Sequence, residues 1–117
     1  MNNINTFIET IKKKTEAFDF QNVISIIDAN YDFTPTTFKN GHQLNNAGEN
    51  NGSCKIFGFA QMHNLTTEET LSLFGGFYKD VLQTPEGTDH QNIRNFMQFG
   101  WDGIQFEGNP LIQKSTI

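Results

Sequence analysis

The sequence has a single cysteine, Cys54, a single arginine, Arg94, and no long apolar run. A lone cysteine forms no disulfide within the chain and is too few for a cysteine-based zinc site, so a reducing compartment such as the cytoplasm is expected. No stretch approaches the roughly 18 consecutive apolar residues of a membrane span. The start, Met1-Asn2-Asn3-Ile4-Asn5, lacks the basic region and apolar segment of an export signal. Eight basic residues against thirteen acidic ones give a net charge of −5. The electrostatic term that dominates nucleic-acid binding is therefore missing, and neither a nucleic-acid nor a membrane partner is expected. The three prolines, Pro35, Pro85 and Pro110, are scattered, and no repeat or Ser-rich linker divides the chain. One domain over residues 1–117 follows.

What the chain does have is phenylalanine, 12 in 117 residues, which predicts a core of a few large rings. Ile4, Phe7, Ile8 and Ile11 keep the i, i+3, i+4, i+7 spacing of an amphipathic helix ending near Ala17. Lys12-Lys13-Lys14 point to different sides of that helix and make a solvated face rather than a phosphate-binding row. Asp19 can cap a second helix whose buried stripe is Phe20, Val23, Ile24 and Ile27. Pro35 blocks a helix, and Asn40-Gly41 is a type I′ hairpin signal, which predicts strands over residues 36–39 and 42–45. Residues 46–52 form a loop of turn residues.

Ser53 can cap a third helix carrying Ile56, Phe57, Phe59 and Ala60, and Thr66 with Glu69 forms a capping box for a fourth. Its apolar spacing continues to Leu82, but each interior glycine costs roughly 1 kcal/mol, so Gly75-Gly76 should kink or break it. Thr88 with Gln91 offers a second capping box, and Ile93, Phe96 and Met97 face inward until Gly100 stops the fifth helix. Ile104-Gln105-Phe106-Glu107 alternates like a strand able to pair with the hairpin, beside a core plug at Trp101. The expected fold is α+β, mainly helical with about five helices and a small antiparallel sheet.

Over residues 38–107 the chain resembles the HopJ type III effector protein family. The matching segments are Phe38-Lys39-Asn40-Gly41, Asn45 through Cys54-Lys55-Ile56-Phe57, Leu73-Phe74-Gly75, the run Pro85 to Met97, and Gly100-Trp101. The family takes its name from proteins that plant-pathogenic bacteria inject into host cells. The resemblance implies a bacterial protein, an effector-type role with a protein partner and type III export, and no established biochemical activity.

The residues themselves permit some chemistry. Cys54 at a helix start is a candidate nucleophile, since the dipole there should lower a thiol pKa, with His90 or His63 as base. The alternative is a small apolar core residue. In the run after Pro85, Asp89 suits a helix start, and His90 and Arg94 sit side by side on one helix edge where they could line a cleft. The alternative is that Arg94 pairs with Asp89, Glu86 or Asp80 while His90 and Asn92 satisfy turn carbonyls. Asn45, Glu49 and Asn51 could cap a pocket, or belong to a plain connector. His42, His63 and His90 match no local metal spacing, and neither a P-loop nor a complete GxGxxG occurs, so no metal or cofactor is expected. Three classes remain: a non-catalytic protein-binding or regulatory module, a small cysteine hydrolase or transferase, and a small-ligand carrier with its pocket between the sheet and the 89–99 helix.

Overall fold

Helical periodicity and capping place the elements of the computed structural model, which describes residues 4–13 and 18–114. The helices are α1 (Ile4–Lys13), α2 (Phe20–Asn30), α3 (Asn51–Met62), α4 (Thr67–Ser72), α5 (Gly76–Gln83) and α6 (Gln91–Phe99), followed by a 3-10 turn at Gly100–Gly103. The strands are β1 (Tyr31–Phe33), β2 (Phe38–Asn40), β3 (Gln43–Asn45), β4 (Ile104–Phe106) and β5 (Leu111–Gln113). The architecture is the expected α+β domain, mainly helical. The glycine pair breaks its helix outright, so six helices stand among the described residues where about five were expected. The expected end of the first helix near Ala17 lies outside the described residues.

The Thr66 capping box forms as predicted: the Glu69 amide donates to Thr66 Oγ1 at 3.0 Å and the Thr66 amide to Glu69 Oε1 at 2.9 Å. Other caps differ. Asp19 precedes α2 without a side-chain cap bond, and α3 starts after Asn50 rather than after Ser53. Gln91 Nε2 donates to Thr88 O, yet the cap residue of α6 is His90. Thr88 lies too far outside the helix for the reciprocal box.

The hairpin and β4 form an antiparallel sheet in the order β3-β2-β4, as predicted. Its turn is shifted by one residue, because Asn40 stays in the ladder opposite Gln43 and the loop is Gly41-His42. Only Gly41 of the two has positive φ, at +60°, which is the pattern of a type II′ turn rather than type I′. A second sheet, β1 with β5, was not anticipated.

The core is built on Phe57, which is fully buried. Its ring centroid lies 6.0 Å from Phe38, 5.5 Å from Phe74, 4.8 Å from Phe96 and 6.4 Å from Trp101. Trp101 plugs this cluster from the edge, half-buried, and its indole donates to Leu65 O at 2.9 Å. Ile93 and Phe96 face inward, but Met97 is 42% exposed, because the stripe of α6 is only as wide as the core beneath it.

Candidate functional site

Two helices begin at the same open cleft of about 400 Å³. Asn50, Gly52 and Ser53 come from the start of α3, and His90, Gln91, Asn92 and Ile93 from the start of α6. Phe20, Phe74 and Phe77 make an aromatic wall, and Gln43 of β3 closes one side. The wall holds itself: Phe20 packs edge-on against Phe77 at 5.0 Å and stacks with Phe74 at 6.3 Å. His90 continues it, 5.4 Å from Phe77.

Both helix starts share an unusual backbone. Asn50 (φ 52°, ψ 49°) and His90 (φ 51°, ψ 48°) adopt the left-handed conformation, and neither side chain caps its helix. The amides of Gly52, Ser53, Gln91 and Asn92 find no acceptor among the described residues. Unsatisfied first-turn amides of this kind are donors for a guest that carries acceptors.

Arg94 fixes one of these two starts. Its Nη2 donates to Asp89 Oδ1 at 2.7 Å and to Thr84 Oγ1 at 3.0 Å, its Nη1 to Thr84 O at 2.7 Å, and its Nε to Asp89 O at 2.5 Å. The guanidinium is consumed by its own loop, and of the two sequence readings the pairing with Asp89 is the one observed. The hydrogen bond from Arg94 holds the Asp89 carboxyl below the usual carboxylate range. His90 lines the cleft, and its Nε2 lies 3.9 Å from Asp80 Oδ2 and 3.8 Å from Asp89 Oδ2.

Cys54 stands apart from this arrangement. It is 1% exposed, it lies outside the cleft lining, and its Sγ meets Thr36 O at 3.7 Å. Burial pushes the thiol pKa up, the opposite of the dipole-based expectation. Desolvation wins because the side chain turns inward and away from the free amides. Cys54, His90 and Arg94 therefore do not open on one cleft: the thiol is entombed, the guanidinium is occupied, and only the imidazole faces the cavity.

His63, the other proposed base, is engaged by Tyr31, whose hydroxyl and His63 Nε2 share a hydrogen bond of 2.5 Å. Burial drives the two groups in opposite senses, Tyr31 up to about 12 and His63 below its ordinary 6.5. The folded ring binds fewer protons than the unfolded one, so its stabilising effect is complete above pH 6.5 and is lost as pH falls through the depressed folded value. Urea midpoints should accordingly drop as pH falls below about 6.5 towards the depressed folded value, and His63→Gln, which keeps a hydrogen-bonding side chain without the titration, should flatten that part of the profile. An unchanged slope in the variant would assign the acid sensitivity to other groups.

The pocket-capping trio separates as well. Asn45 is fully buried and belongs to an amide cluster under the cleft floor. Its Nδ2 donates to Asn92 Oδ1 at 3.1 Å, and Asn92 Nδ2 returns the bond to Asn45 Oδ1 at 2.9 Å. Asn40 Nδ2 reaches Asn92 Oδ1 at 3.0 Å and Asn92 O at 2.8 Å, so Asn92 serves this cluster and not a turn carbonyl. Asn50 Nδ2 donates to Asn45 Oδ1 at 2.7 Å, tying the floor to the start of α3. Glu49 is exposed and accepts from the Asn46 amide at 3.0 Å, closing the loop. Asn51 is exposed at the first residue of α3.

The cleft opens at the N-terminal end of α6, and Gln43 alone of the sheet borders it, which is narrower than a pocket between sheet and helix. Sequence reading missed Phe20, Phe74 and Phe77 as site residues because all three fit helical core stripes. The glycine break before Phe77 was the only local signal. No group of three or more His, Cys, Asp or Glu able to hold a metal occurs among the described residues, and no described helix is long and apolar enough to cross a membrane.

The class defined so far is a small α+β domain with an aromatic, donor-rich cleft from which the cysteine is excluded. The chain belongs to the HopJ type III effector protein family, whose model matches residues 4–111. It is also similar to the crystal structure of a protein of unknown function, VPA0580. That similarity has a TM-score of 0.92 and 50% identity, and covers 95% of this chain and 93% of the other. No curated protein matches the chain.

Proposed function

We propose that this protein acts by binding rather than by catalysis, as an effector-type regulatory module whose recognition surface is the cleft between the starts of α3 and α6. One observation carries the reading: a cavity of about 400 Å³ joins a wall of three phenylalanines to amides at two helix starts, while the thiol of Cys54 lies outside its lining and no hydrogen bond among the described residues joins the Ser53 hydroxyl to His90. Such a site suits an apolar side chain of a protein partner presented beside its own backbone carbonyls. Delivery into a host cell by type III secretion is the further part of this reading, and it is supported by the family's name alone.

The volume also lies within the range of small-molecule sites, which keeps a ligand carrier as the second reading of the same cleft. The cysteine hydrolase or transferase has the weaker support, since its thiol is buried outside the cavity.

Amide NMR with N-acetyl-phenylalanine amide as probe tests the site, because that molecule combines a ring with two carbonyl acceptors. Saturable shifts at Gly52, Ser53, Phe77 and Gln91 are expected. Phe77→Glu should weaken them at least about tenfold by placing a carboxylate in the aromatic wall, and Cys54→Ser should leave them unchanged. Shifts scattered over the surface, or abolished by Cys54→Ser in folded protein, would overturn the proposal.

A further inference from the structure

The sequence contains two Asn-Gly pairs, Asn40-Gly41 and Asn51-Gly52, and the fold treats them in opposite ways. We infer that Asn51 is a site of spontaneous deamidation in the folded protein, adding a negative charge to the first turn of α3 beside the cleft, whereas Asn40 is protected.

The chemistry needs a mobile side-chain amide and a backbone nitrogen free to attack it. The nitrogen of the following glycine bonds to the asparagine Cγ, and the side-chain nitrogen leaves as ammonia, which gives a five-membered succinimide. Water then opens the ring at either carbonyl, producing aspartate or isoaspartate. Glycine in second place favours attack, because it lacks a Cβ and lets the backbone turn freely.

At the first pair both reacting groups are held. Asn40 is fully buried, and its Nδ2 donates twice to Asn92. The attacking nitrogen, that of Gly41, is itself bonded to Gly103 O at 2.9 Å. The residues also sit in and beside the β2 ladder, paired to β3 and β4. Reaction there requires the sheet to open.

At the second pair neither group is held. Asn51 is exposed, and among the described residues its side chain has no hydrogen-bond partner and the Gly52 amide no acceptor. Both belong to the first turn of α3, where their N–H groups have no i−4 acceptor, and helix ends fray with little cost. A Cβ at residue 52 would lie 2.8 Å from Phe20 Cζ, so any other residue there would push the Phe20 ring aside. The undisturbed aromatic wall of the cleft thus goes with glycine at residue 52.

The product has a defined place. Asn50, Gly52 and Ser53 line the cleft and residue 51 does not, so the new carboxylate stands on the exposed side of the same helix turn, next to the cleft rather than inside it. At a first-turn position the helix dipole favours the added anion, so aspartate there is compatible with the folded state.

Peptide mapping by mass spectrometry tests the assignment on the full chain, aged in mildly alkaline buffer, in parallel with the same chain in urea. In urea both pairs should convert at similar rates. In the folded protein Asn51 should keep a rate within a few-fold of its urea value, and Asn40 should slow by more than about tenfold, in proportion to the opening its sheet requires. Conversion at Asn40 as fast as at Asn51, or suppression of Asn51 as strong as that of Asn40, would overturn the inference. Asn51→Gln should remove the product and leave the folded signal intact, which confirms the mapped position.

Discussion

Replacing Gly75 by alanine should destabilise the fold by about 4 kcal/mol, combining a disfavoured backbone conformation with a close contact that cannot relax. Gly75 has φ +58° and ψ −128°, and an alanine Cβ there would lie 2.0 Å from Phe18 O and 2.9 Å from the Phe20 nitrogen. Both obstacles are backbone atoms, and their segment is tied down where Phe18 N donates to Ser72 O at 3.0 Å. The contact is where the segment before α2 crosses the break between α4 and α5, and it sets Phe20 against Phe74 and Phe77. Loss of stability should therefore come with loss of the cleft wall. The neighbouring glycine supplies the control. A Cβ at Gly76 meets nothing within 4 Å, so Gly76→Ala should change stability by no more than about 1 kcal/mol, and towards greater stability. Urea unfolding of the pair measures both; equal effects would show that the crossing is not tight.

The helices were legible because their signals are local. Ile4 to Ile11, the Thr66–Glu69 box and the Gly100 stop each act within a few residues, and each is found as read. The β1–β5 sheet was not legible, because its three-residue strands carry no pattern of their own and pair the region after α2 with the end of the described chain. Asn40-Gly41 read correctly as a hairpin, but the shift to Gly41-His42 depends on Asn40 being drawn inward by Asn92, a residue far along the sequence. The same limit hid the cleft. Left-handed Asn50 and His90 look like ordinary loop residues until the two helix starts they create are seen to face one cavity. For Cys54 the local argument gave the wrong sign, since proximity to a helix start does not say which way the side chain turns.

Asn92 should be the most sensitive polar position, with Asn92→Leu costing about 3 kcal/mol through buried amide groups left without partners. In the native fold Asn92 and Asn45 exchange two hydrogen bonds as a closed amide pair, and Asn40 is a second donor to Asn92 Oδ1. Removing Asn92 strips Asn45 Nδ2 of its shorter bond, leaving only Phe38 O at 3.5 Å, and takes one donor from Asn45 Oδ1. Asn40 keeps the Asn92 backbone carbonyl but not the side chain, and its own Oδ1 already lacks a partner. Leucine nearly matches the asparagine side chain in size, so the cost is chiefly electrostatic desolvation rather than a cavity. That distinction is measurable in a double-mutant cycle. Replacing Asn45 and Asn92 together by leucine removes both halves of the pair, so the double variant should lose at least about 1 kcal/mol less than the sum of the single variants. Additive losses would mean that the two amides act separately. Coupling, in contrast, would make the cluster a single unit that ties Asn50 at the start of α3 to Asn92 at the start of α6, holding the two sides of the cleft at a fixed separation.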